Sequence, residues 1–370
     1  MSCKKKIMVI FGTRPEAIKM APLIHQLKKN KKLETLVCLT AQHREMVDQV
    51  LQEFNIKPDY DLNIMQEKQT LVDLSVRLLK ELDELFKRSR PDMLLVHGDT
   101  TTTFIASLAA YYNQITVGHV EAGLRTWDKF SPYPEELNRQ FTGIIADLHF
   151  APTEQAAMNL IRENKLKNSI FITGNTVIDA IKMTVQENYK HPILDRLNKK
   201  KLILLTVHRR ENLGKIDDIF RAIRKIADEF HDITFVYPVH LNPVIKQKAD
   251  LFLKNHDRII LVEPLPTYDF HNLMAHSYLV LTDSGGIQEE APSFGIPVIV
   301  MRDTTERPEG LKAGTIVLSG AEQNRIYDTV YNLLTNPDSY KKMSNASNPY
   351  GDGKASEKIV DAISHYFGIS

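Results

Sequence analysis

Short, almost entirely apolar runs alternate with amphipathic helical patterns along the chain, and this alternation constrains the fold more than any other feature. Strands that are apolar on both faces are typical of parallel sheets covered by helices on each side. The sequence therefore predicts an α/β protein with two doubly wound parallel-sheet domains, separated by a charged, broken stretch at residues 189–201. The candidate strands are Ile7–Phe11, Thr35–Thr40, Asp92–Val96, Ile115–Val120, Leu148–Phe150, Ile170–Thr173, Leu202–Val207, Ile233–Val239, Ile259–Val262, Tyr278–Leu281, Pro297–Met301 and Thr315–Leu318.

The length of 370 residues is enough for two domains with separate cores. We place the first domain at residues 1–172 and the second at residues 173–353. A last helix, about Ala355–Tyr366, follows a loop rich in Gly, Asn and Pro. We expect this segment, residues 354–370, to cross back and join the first domain.

The overall charge and the cysteine content exclude several classes of partner and site. A net charge of +1 gives no basic field, so we expect no nucleic acid partner. Cys3 and Cys38 form no CxxC pair, which indicates a reducing compartment and no metal-thiolate site. The apolar run Ile7–Phe11 is too short for a signal peptide, and no run is long enough for a membrane span. We expect a cytoplasmic protein without a membrane partner.

The residues that follow the predicted strands are unusually polar. Ligands of open parallel sheets bind at the carboxyl ends of the strands. Histidines, arginines and carboxylates at so many of these ends favour one site in a cleft between the domains. The polar ends are Gly12–Glu16, Ala41–Arg44, His97–Asp99, His119–Gly123, His208–Glu211, His240 and Asp283–Gly286.

The segment Thr282–Glu290 reads as a buried strand end, a turn with two glycines and a helix start. A helix N-terminus favours an anion, and Gly285 and Gly286 would let a phosphate reach the backbone. Ser284 adds a hydroxyl donor, and Glu290 can accept hydrogen bonds from the hydroxyl pair of a sugar. This pattern suits a nucleoside diphosphate, although an ordinary capped turn would have the same residue types.

Three residues near the first strands are candidates for binding or catalysis. Arg14 stands beside Pro15 at a predicted helix start and can bind a phosphate bidentately, with Lys19 about one turn further on. Asp99 is either a catalytic group or the cap of the helix that follows it. Glu121 precedes Gly123 with no obvious helix to cap, which favours function.

Two further candidates have structural alternatives. His208 could be a structural histidine bonded to the backbone. Glu135 and Glu136 follow a proline-rich turn and could simply be favourable first-turn charges on a helix dipole.

The common cofactor signatures are absent. The chain contains no GxGxxG, GxxxxGK[ST], HExxH or GxSxG pattern, and its histidine spacings match no zinc site. We therefore predict no NAD, no other cofactor and no metal.

Seven long motifs resemble the non-hydrolysing bacterial UDP-N-acetylglucosamine 2-epimerases, in order and over nearly the whole chain. The resemblance implies a GT-B-like fold of two Rossmann-like domains with the active site in the cleft, usually as a homodimer. It also implies interconversion of UDP-GlcNAc and UDP-ManNAc without NAD or metal, for bacterial surface polysaccharides. The motifs are Phe11–Lys19, His97–Thr102, Gly118–Arg125, His208–Asn212, Thr282–Glu290, Arg302–Glu309 and Asn348–Gly353.

The resemblance also implies roles for individual residues. The expected chemistry is anti elimination of UDP to 2-acetamidoglucal followed by re-addition, which needs an acid, a base and stabilisation of the diphosphate. Which carboxylate takes which proton stays open. The implied proton-transfer residues are Asp99, Glu121, Glu135 and His208; the implied substrate-binding residues are Arg14, Lys19, Ser284, Gly285, Gly286, Glu290 and Arg307.

Members of the resembled family are activated by a second UDP-GlcNAc, and the matching positions here are Gln42, His43, Gln69, Arg209 and His240. Glu45 departs from the Gln of some activated relatives, and Val207 stands where a small residue is expected. Three other functions remain open: a GT-B glycosyltransferase, a hydrolysing 2-epimerase and a non-catalytic nucleotide-sugar sensor.

Overall fold

A computed structural model describes residues 4–40, 44–66 and 69–369. The chain forms two compact units, one comprising the chain up to Met183 with Tyr350–Ser370 and the other Thr184–Pro349. Each unit is a parallel sheet with helices on both faces. The predicted fold class, α/β with two doubly wound parallel-sheet units, is therefore confirmed.

The first sheet has seven strands and the second has six, and all pairings are parallel. The first contains β1 (Lys5–Phe11), β2 (Leu33–Leu39), β3 (Tyr60–Asp61), β4 (Met93–His97), β5 (Thr116–Val120), β6 (Leu148–Ala151) and β7 (Ile170–Ile172). The second contains β8 (Lys201–Thr206), β9 (Ile233–Pro238), β10 (Ile259–Val262), β11 (Leu279–Thr282), β12 (Val298–Val300) and β13 (Ile316–Leu318). The spatial orders are β3-β2-β1-β4-β5-β6-β7 and β10-β9-β8-β11-β12-β13.

A helix follows each strand, and three additional helices lie between or after these strand–helix pairs. The helices are α1 (Arg14–Lys29), α2 (Arg44–Glu53), α3 (Leu71–Ser89), α4 (Thr101–Tyr112), α5 (Glu135–Ile145), α6 (Glu154–Arg162), α7 (Thr176–Thr184), α8 (Pro192–Arg196), α9 (Ile216–Glu229), α10 (Pro243–Leu253), α11 (Thr267–Ala275), α12 (Ile287–Glu290), α13 (Pro308–Ala313), α14 (Gln323–Thr335), α15 (Pro337–Ser344) and α16 (Ala355–Tyr366). The additional helices are α8, α15 and α16. Short 3₁₀ segments lie at Lys167–Ser169, Arg210–Lys215 and Ala291–Phe294. None of these helices, within the described ranges, has the length and apolar character needed to cross a membrane.

The apolar strands arise because each sheet is buried on both faces. In β1, Val9 and Phe11 belong to the core layer that includes α1 and α16, while Met8 and Ile10 belong to the layer under α3 and α4. Successive side chains of a strand point to opposite faces, so a strand with two buried faces must be apolar throughout. The strands are therefore mostly apolar, and clusters of polar residues follow their carboxyl ends.

Two features differ from the expectation. The two-residue strand β3 pairs with Cys38 and Leu39 but is too short and polar to give a periodic signal. The first unit runs to Met183, within the last turn of α7, whereas the sequence pattern places the boundary at residue 172. Asp179 of α7 explains the difference, because its carboxylate accepts hydrogen bonds from Ala355 N and Ser356 N at 3.1 and 2.8 Å.

Three histidines on adjacent strands of the first sheet are buried: His97, His119 and His149. Burial lowers the pKa of His97 and of His149 to about 4 and that of His119 to about 3. The pKa of a histidine in an unfolded chain is about 6.5. The folded chain thus binds fewer protons than the unfolded chain between these values, and stability is lost as the pH falls through this window.

We predict that His149→Gln reduces the loss of stability in mild acid. The free energy of unfolding of the wild type should fall more steeply from pH 6.5 to pH 5 than that of the variant, by up to roughly 2 kcal/mol. Urea denaturation at a series of pH values measures both slopes. His231, which is exposed, supplies the control His231→Gln; equal slopes for all three proteins would contradict the prediction.

Candidate functional site

The turn between β1 and α1 is built around the buried carboxylate of Glu16. Its Oε2 accepts hydrogen bonds from Gly12 N at 3.0 Å and Thr13 N at 2.8 Å, and its Oε1 accepts from Thr100 Oγ1 at 2.7 Å. Burial raises the pKa of Glu16, and these hydrogen bonds oppose that rise. Glu16 therefore fixes the turn that presents Arg14, and it fastens this turn to the one after β4.

Asp99 follows β4 and is held by helix α5. Arg139 donates from Nε and Nη2 to Asp99 Oδ2 at 2.9 and 2.5 Å, and Asn138 Nδ2 donates to the Asp99 carbonyl at 2.9 Å. Helix α4 is capped by Thr100, whose Oγ1 accepts from Thr103 N. The capping alternative for Asp99 is therefore wrong, and its carboxylate is oriented by a cation.

Glu135 and Glu136, at the start of α5, have different environments. Glu136 is fully buried and accepts from Thr126 N, Trp127 N and Gln140 Nε2 at 3.0, 3.2 and 2.9 Å. Burial alone would raise the pKa of Glu136, but these hydrogen bonds outweigh it and lower the pKa. Glu135 is half-buried and makes no side-chain hydrogen bond or ion pair with any described residue. The two adjacent glutamates therefore differ: the Glu136 carboxylate holds the loop before α5, and the Glu135 carboxylate does not.

Glu121, directly after β5, is at the centre of a nearly buried polar cluster. Its side chain is 8% exposed and forms an ion pair with Lys19 Nζ. Asn175 Nδ2 donates to Glu121 Oε2 at 2.7 Å, and His97 Nε2 lies 3.7 Å from the same oxygen. His97 is neutral at pH 7 because burial lowers its pKa to about 4. Lys19 thus contacts a proposed catalytic carboxylate rather than standing apart from it.

Gly98 connects these groups. It lies between β4 and Asp99 with φ of +68°, and a Cβ placed on it would be 3.8 Å from Glu121 Oε1. Gly98 N donates to the Val120 carbonyl at 2.9 Å, directly before Glu121. Glu135 stands four residues before Arg139 on α5 and so shares a helix face with the partner of Asp99. The structure therefore brings Asp99, Glu121 and Glu135 to one edge of the first sheet, where α1 also begins.

In the second unit, Asp283 organises the turn after β8. The carboxylate is fully buried and accepts hydrogen bonds from His208 N at 3.0 Å and Arg209 N at 2.9 Å. The His208 ring stacks on His240, with ring centroids 5.9 Å apart. Burial lowers the pKa of His208 despite the nearby Asp283, so its imidazole is neutral at pH 7. Asp283 therefore supports the backbone at His208. The sequence pattern alone could not distinguish this supporting role of Asp283 from a ligand-binding role.

The Ser284–Gly286 turn follows β11 and leads into α12. This helix has only four residues, because Pro292 lacks the N–H that would continue the α pattern, and a 3₁₀ segment follows. A Cβ on Gly285 would lie 3.0 Å from Glu306 Oε1 and 3.3 Å from Arg209 Nη2. Gly285 therefore permits a charged pair, Arg209 with Glu306, to pack against the turn.

Glu306 is ionised throughout the physiological range. Burial would raise its pKa, but its own backbone N–H, Arg302 and Arg307 outweigh burial and lower the pKa to about 2. Arg307, a predicted substrate residue, forms an ion pair with the buried Glu289. Glu290 Oε2 lies 3.7 Å from His271 Nε2, and the Glu290 side chain is 14% exposed.

The positions expected to bind a regulatory ligand are only partly described. Gln42 and His43 lie outside the described residues, as does the side chain of Glu45. Gln69 folds onto its own loop, where its Oε1 accepts from Gln66 N at 3.1 Å. Arg209 pairs with Glu306, and His240 is exposed beside His208. Val207, the departure noted above, is buried in the core of the second unit and accepts a hydrogen bond from Tyr237 through its carbonyl.

Sequence reasoning missed Arg139 and Asn175, and it gave no individual role to Glu16, His97 and Glu306, which lie within the polar strand ends or motifs. Their contacts join positions far apart in the chain, such as Asn175 with Glu121, and no local pattern reveals them. Among the residues that the structure describes, no group of three or more His, Cys, Asp or Glu side chains is arranged to hold a metal ion.

Comparison with known proteins places the chain in a family. The sequence model of the UDP-N-acetylglucosamine 2-epimerase family matches residues 25–364. The UDP-N-acetylglucosamine 2-epimerase of Bacillus subtilis (strain 168) is 61% identical over 366 residues, which cover 99% of this chain and 96% of that protein.

Solved structures agree over the same length. The MnaA–UDP complex of S. aureus is 52% identical with a TM-score of 0.92, covering 99% of this chain and 98% of that one. The UDP-GlcNAc 2-epimerase of Neisseria meningitidis, bound to UDP-GlcNAc, is 46% identical with a TM-score of 0.88, covering 97% and 99%. The polar strand ends, the fold and these likenesses lead to one conclusion: this chain belongs to the UDP-N-acetylglucosamine 2-epimerase family.

Proposed function

We propose that this chain interconverts UDP-GlcNAc and UDP-ManNAc by anti elimination of UDP and its re-addition, without releasing free sugar. The observation that carries the proposal is the arrangement of Asp99, Glu121 and Glu135 at one edge of the first sheet. Two of these carboxylates are oriented by side-chain donors, and the third makes no side-chain hydrogen bond or ion pair within the described ranges. A nucleotide-sugar sensor would need none of the three.

The chemistry explains why several carboxylates are required. The C2 proton of the sugar is not next to a carbonyl, so simple deprotonation is unfavourable. If a carboxylate takes this proton while the C1–O bond to UDP breaks, the electron pair of the C2–H bond forms the C1=C2 bond of 2-acetamidoglucal. Re-addition of UDP, with a proton delivered to the other face of C2, inverts that centre. General acid–base groups on both faces are therefore needed.

The departing diphosphate needs its own stabilisation. We assign this task to Arg14 and to Ser284, Gly285 and Gly286, and we assign the ribose hydroxyls to Glu290. The resemblance also leads us to propose a cytosolic homodimer, measurable by sedimentation velocity, whose UDP-ManNAc supplies bacterial surface polysaccharide.

We predict that purified protein converts UDP-GlcNAc to UDP-ManNAc without NAD and in the presence of EDTA. In heavy water the product should carry deuterium at C2, because the proton passes through a carboxyl group that exchanges with solvent. NMR of the product mixture measures both. Free ManNAc as the main product would indicate a hydrolysing enzyme, and turnover only with an added acceptor would indicate a glycosyltransferase.

The two adjacent glutamates of α5 supply a matched pair of variants. We predict that Glu135→Gln lowers kcat on the order of 10²–10⁴-fold with an unchanged melting temperature, because it removes a proton-transfer group and no structural contact. Glu136→Gln should instead lower the melting temperature, because it weakens the hydrogen bonds to Thr126 N and Trp127 N. Steady-state kinetics and calorimetry test both; wild-type turnover in Glu135→Gln would refute the assignment of this residue.

A second UDP-GlcNAc molecule is proposed as an activator. His240 supports this idea, because its exposed ring stacks on His208 and so joins a regulatory candidate to a catalytic one. A ligand that orders His240 would also restrain His208, which couples the two sites energetically.

We predict that pure UDP-ManNAc is converted slowly and that a trace of UDP-GlcNAc accelerates the reaction. His240→Ala should abolish the acceleration, while His231→Ala, a change of another exposed histidine, should preserve it. Initial rates, measured by separating UDP-ManNAc from UDP-GlcNAc at successive times, test this prediction. Prompt hyperbolic turnover of UDP-ManNAc alone would remove the activator and leave the epimerase proposal intact.

A further inference from the structure

The backbone of Glu121 adopts an unusual conformation. Its φ is +60°, a left-handed value that residues with a side chain rarely adopt. Such a conformation persists only where surrounding contacts enforce it. One contact is made by the next residue, since Ala122 N donates to the Phe150 carbonyl at 3.0 Å. The others act on the Glu121 carboxylate itself.

The Asn175 amide reaches that carboxylate with a defined orientation. Its Oδ1 accepts a hydrogen bond from Val177 N at 3.1 Å, so the opposite end of the amide must be the NH₂ group. This Nδ2 donates to Glu121 Oε2 at 2.7 Å. Asn175 is only 2% exposed, so water does not compete for either contact.

The main chain of Asn175 is also anchored. Asn175 N donates to the Tyr350 carbonyl at 2.7 Å, and Tyr350 is itself buried against Val177 and Ile178. A Cβ on Gly174 would lie 3.1 Å from Gly351 Cα, so the two chain segments touch through glycines. The segment that re-enters the first unit at Tyr350 thus fixes the position of the Asn175 amide.

We propose that Asn175 is a positioning residue, which holds Glu121 Oε2 and directs Glu121 for proton transfer. This inference rests on the proposed acid–base role of Glu121. A hydrogen bond donated to an ionised carboxylate favours the charged form. Lys19 binds the same oxygen, so the two donors fix one side of the carboxylate, and Oε1 lies on the side of Gly98.

Two substitutions of Asn175 test the proposal through the pH dependence of kcat. Asn175→Asp places a second carboxylate beside Glu121, and the repulsion between the two should raise the pKa of Glu121. The limb of the pH–kcat profile that this pKa sets should therefore move toward higher pH by about one unit or more. Asn175→Ser keeps an acceptor for Val177 N but loses the donor to Glu121, and it should move the same limb by a smaller amount. Both should lower kcat at neutral pH on the order of ten- to a hundredfold with little change in KM.

Asn159→Ala is the matched control. Asn159 is also buried in the first unit, and its Nδ2 donates to the Gly123 carbonyl at 3.0 Å rather than to a carboxylate. Asn159→Ala should lower the melting temperature and leave both pH limbs in place. A limb shift in this variant equal to that of Asn175→Asp would show a general disturbance of the loop and overturn the proposal.

Glu121→Gln separates this inference from the proposed function. If Glu121→Gln is inactive and both Asn175 variants fold and keep wild-type limbs, Asn175 does not position Glu121. If Glu121→Gln retains wild-type turnover, the catalytic role of Glu121 fails, and the Asn175 inference falls with it. A thermal melt of Asn175→Ser establishes that the tested protein is folded.

Discussion

Buried carboxylates hold the turns beside both sheets, each by accepting hydrogen bonds from two consecutive backbone amides. The four residues concerned, Glu16, Glu136, Asp179 and Asp283, are each less than a tenth exposed. Burial of a charge is costly, and each hydrogen bond to a charged group returns about 1.5–3 kcal/mol while satisfying a donor that would otherwise be unpaired. The turns that carry the candidate site are therefore rigid. The pairs are Glu16 with Gly12 N and Thr13 N, Glu136 with Thr126 N and Trp127 N, Asp179 with Ala355 N and Ser356 N, and Asp283 with His208 N and Arg209 N.

This arrangement divides the acidic residues of the strand ends by the kind of donor they bind. The structural carboxylates each bind two main-chain amides, and some also accept from a side chain, as Glu16 does from Thr100 and Asp283 from Asn212. Asp99 and Glu121 bind the side chains of Arg139, Lys19 and Asn175 instead. Protonation of Glu16 or Asp283 would weaken main-chain hydrogen bonds that hold a turn, whereas the donors described above for the carboxylates of Asp99 and Glu121 are side chains.

The sequence predicts the architecture well because burial on both faces of a parallel sheet leaves a strong local pattern, and the polar strand ends locate the candidate site. The sequence does not show that Asp283 and Asp99 have different environments, because each is a single acidic residue after an apolar run. Their difference lies in partners 75 and 40 residues away, His208 N and Arg139. The same limit hides Asn175, whose partner Glu121 lies 54 residues away in the chain.

The short helix changes the electrostatics of the proposed diphosphate site. The partial charge of a helix N-terminus depends on aligned peptide dipoles, and four residues supply few of them. The nearby charged cluster of Arg209, Arg302, Glu211 and Glu306 contains two cations and two anions that pair with each other, so it adds no net charge. The hydroxyl of Ser284 and the backbone around Gly285 can donate hydrogen bonds but cannot neutralise a diphosphate. A bound diphosphate would therefore need positive charge from residues outside this cluster.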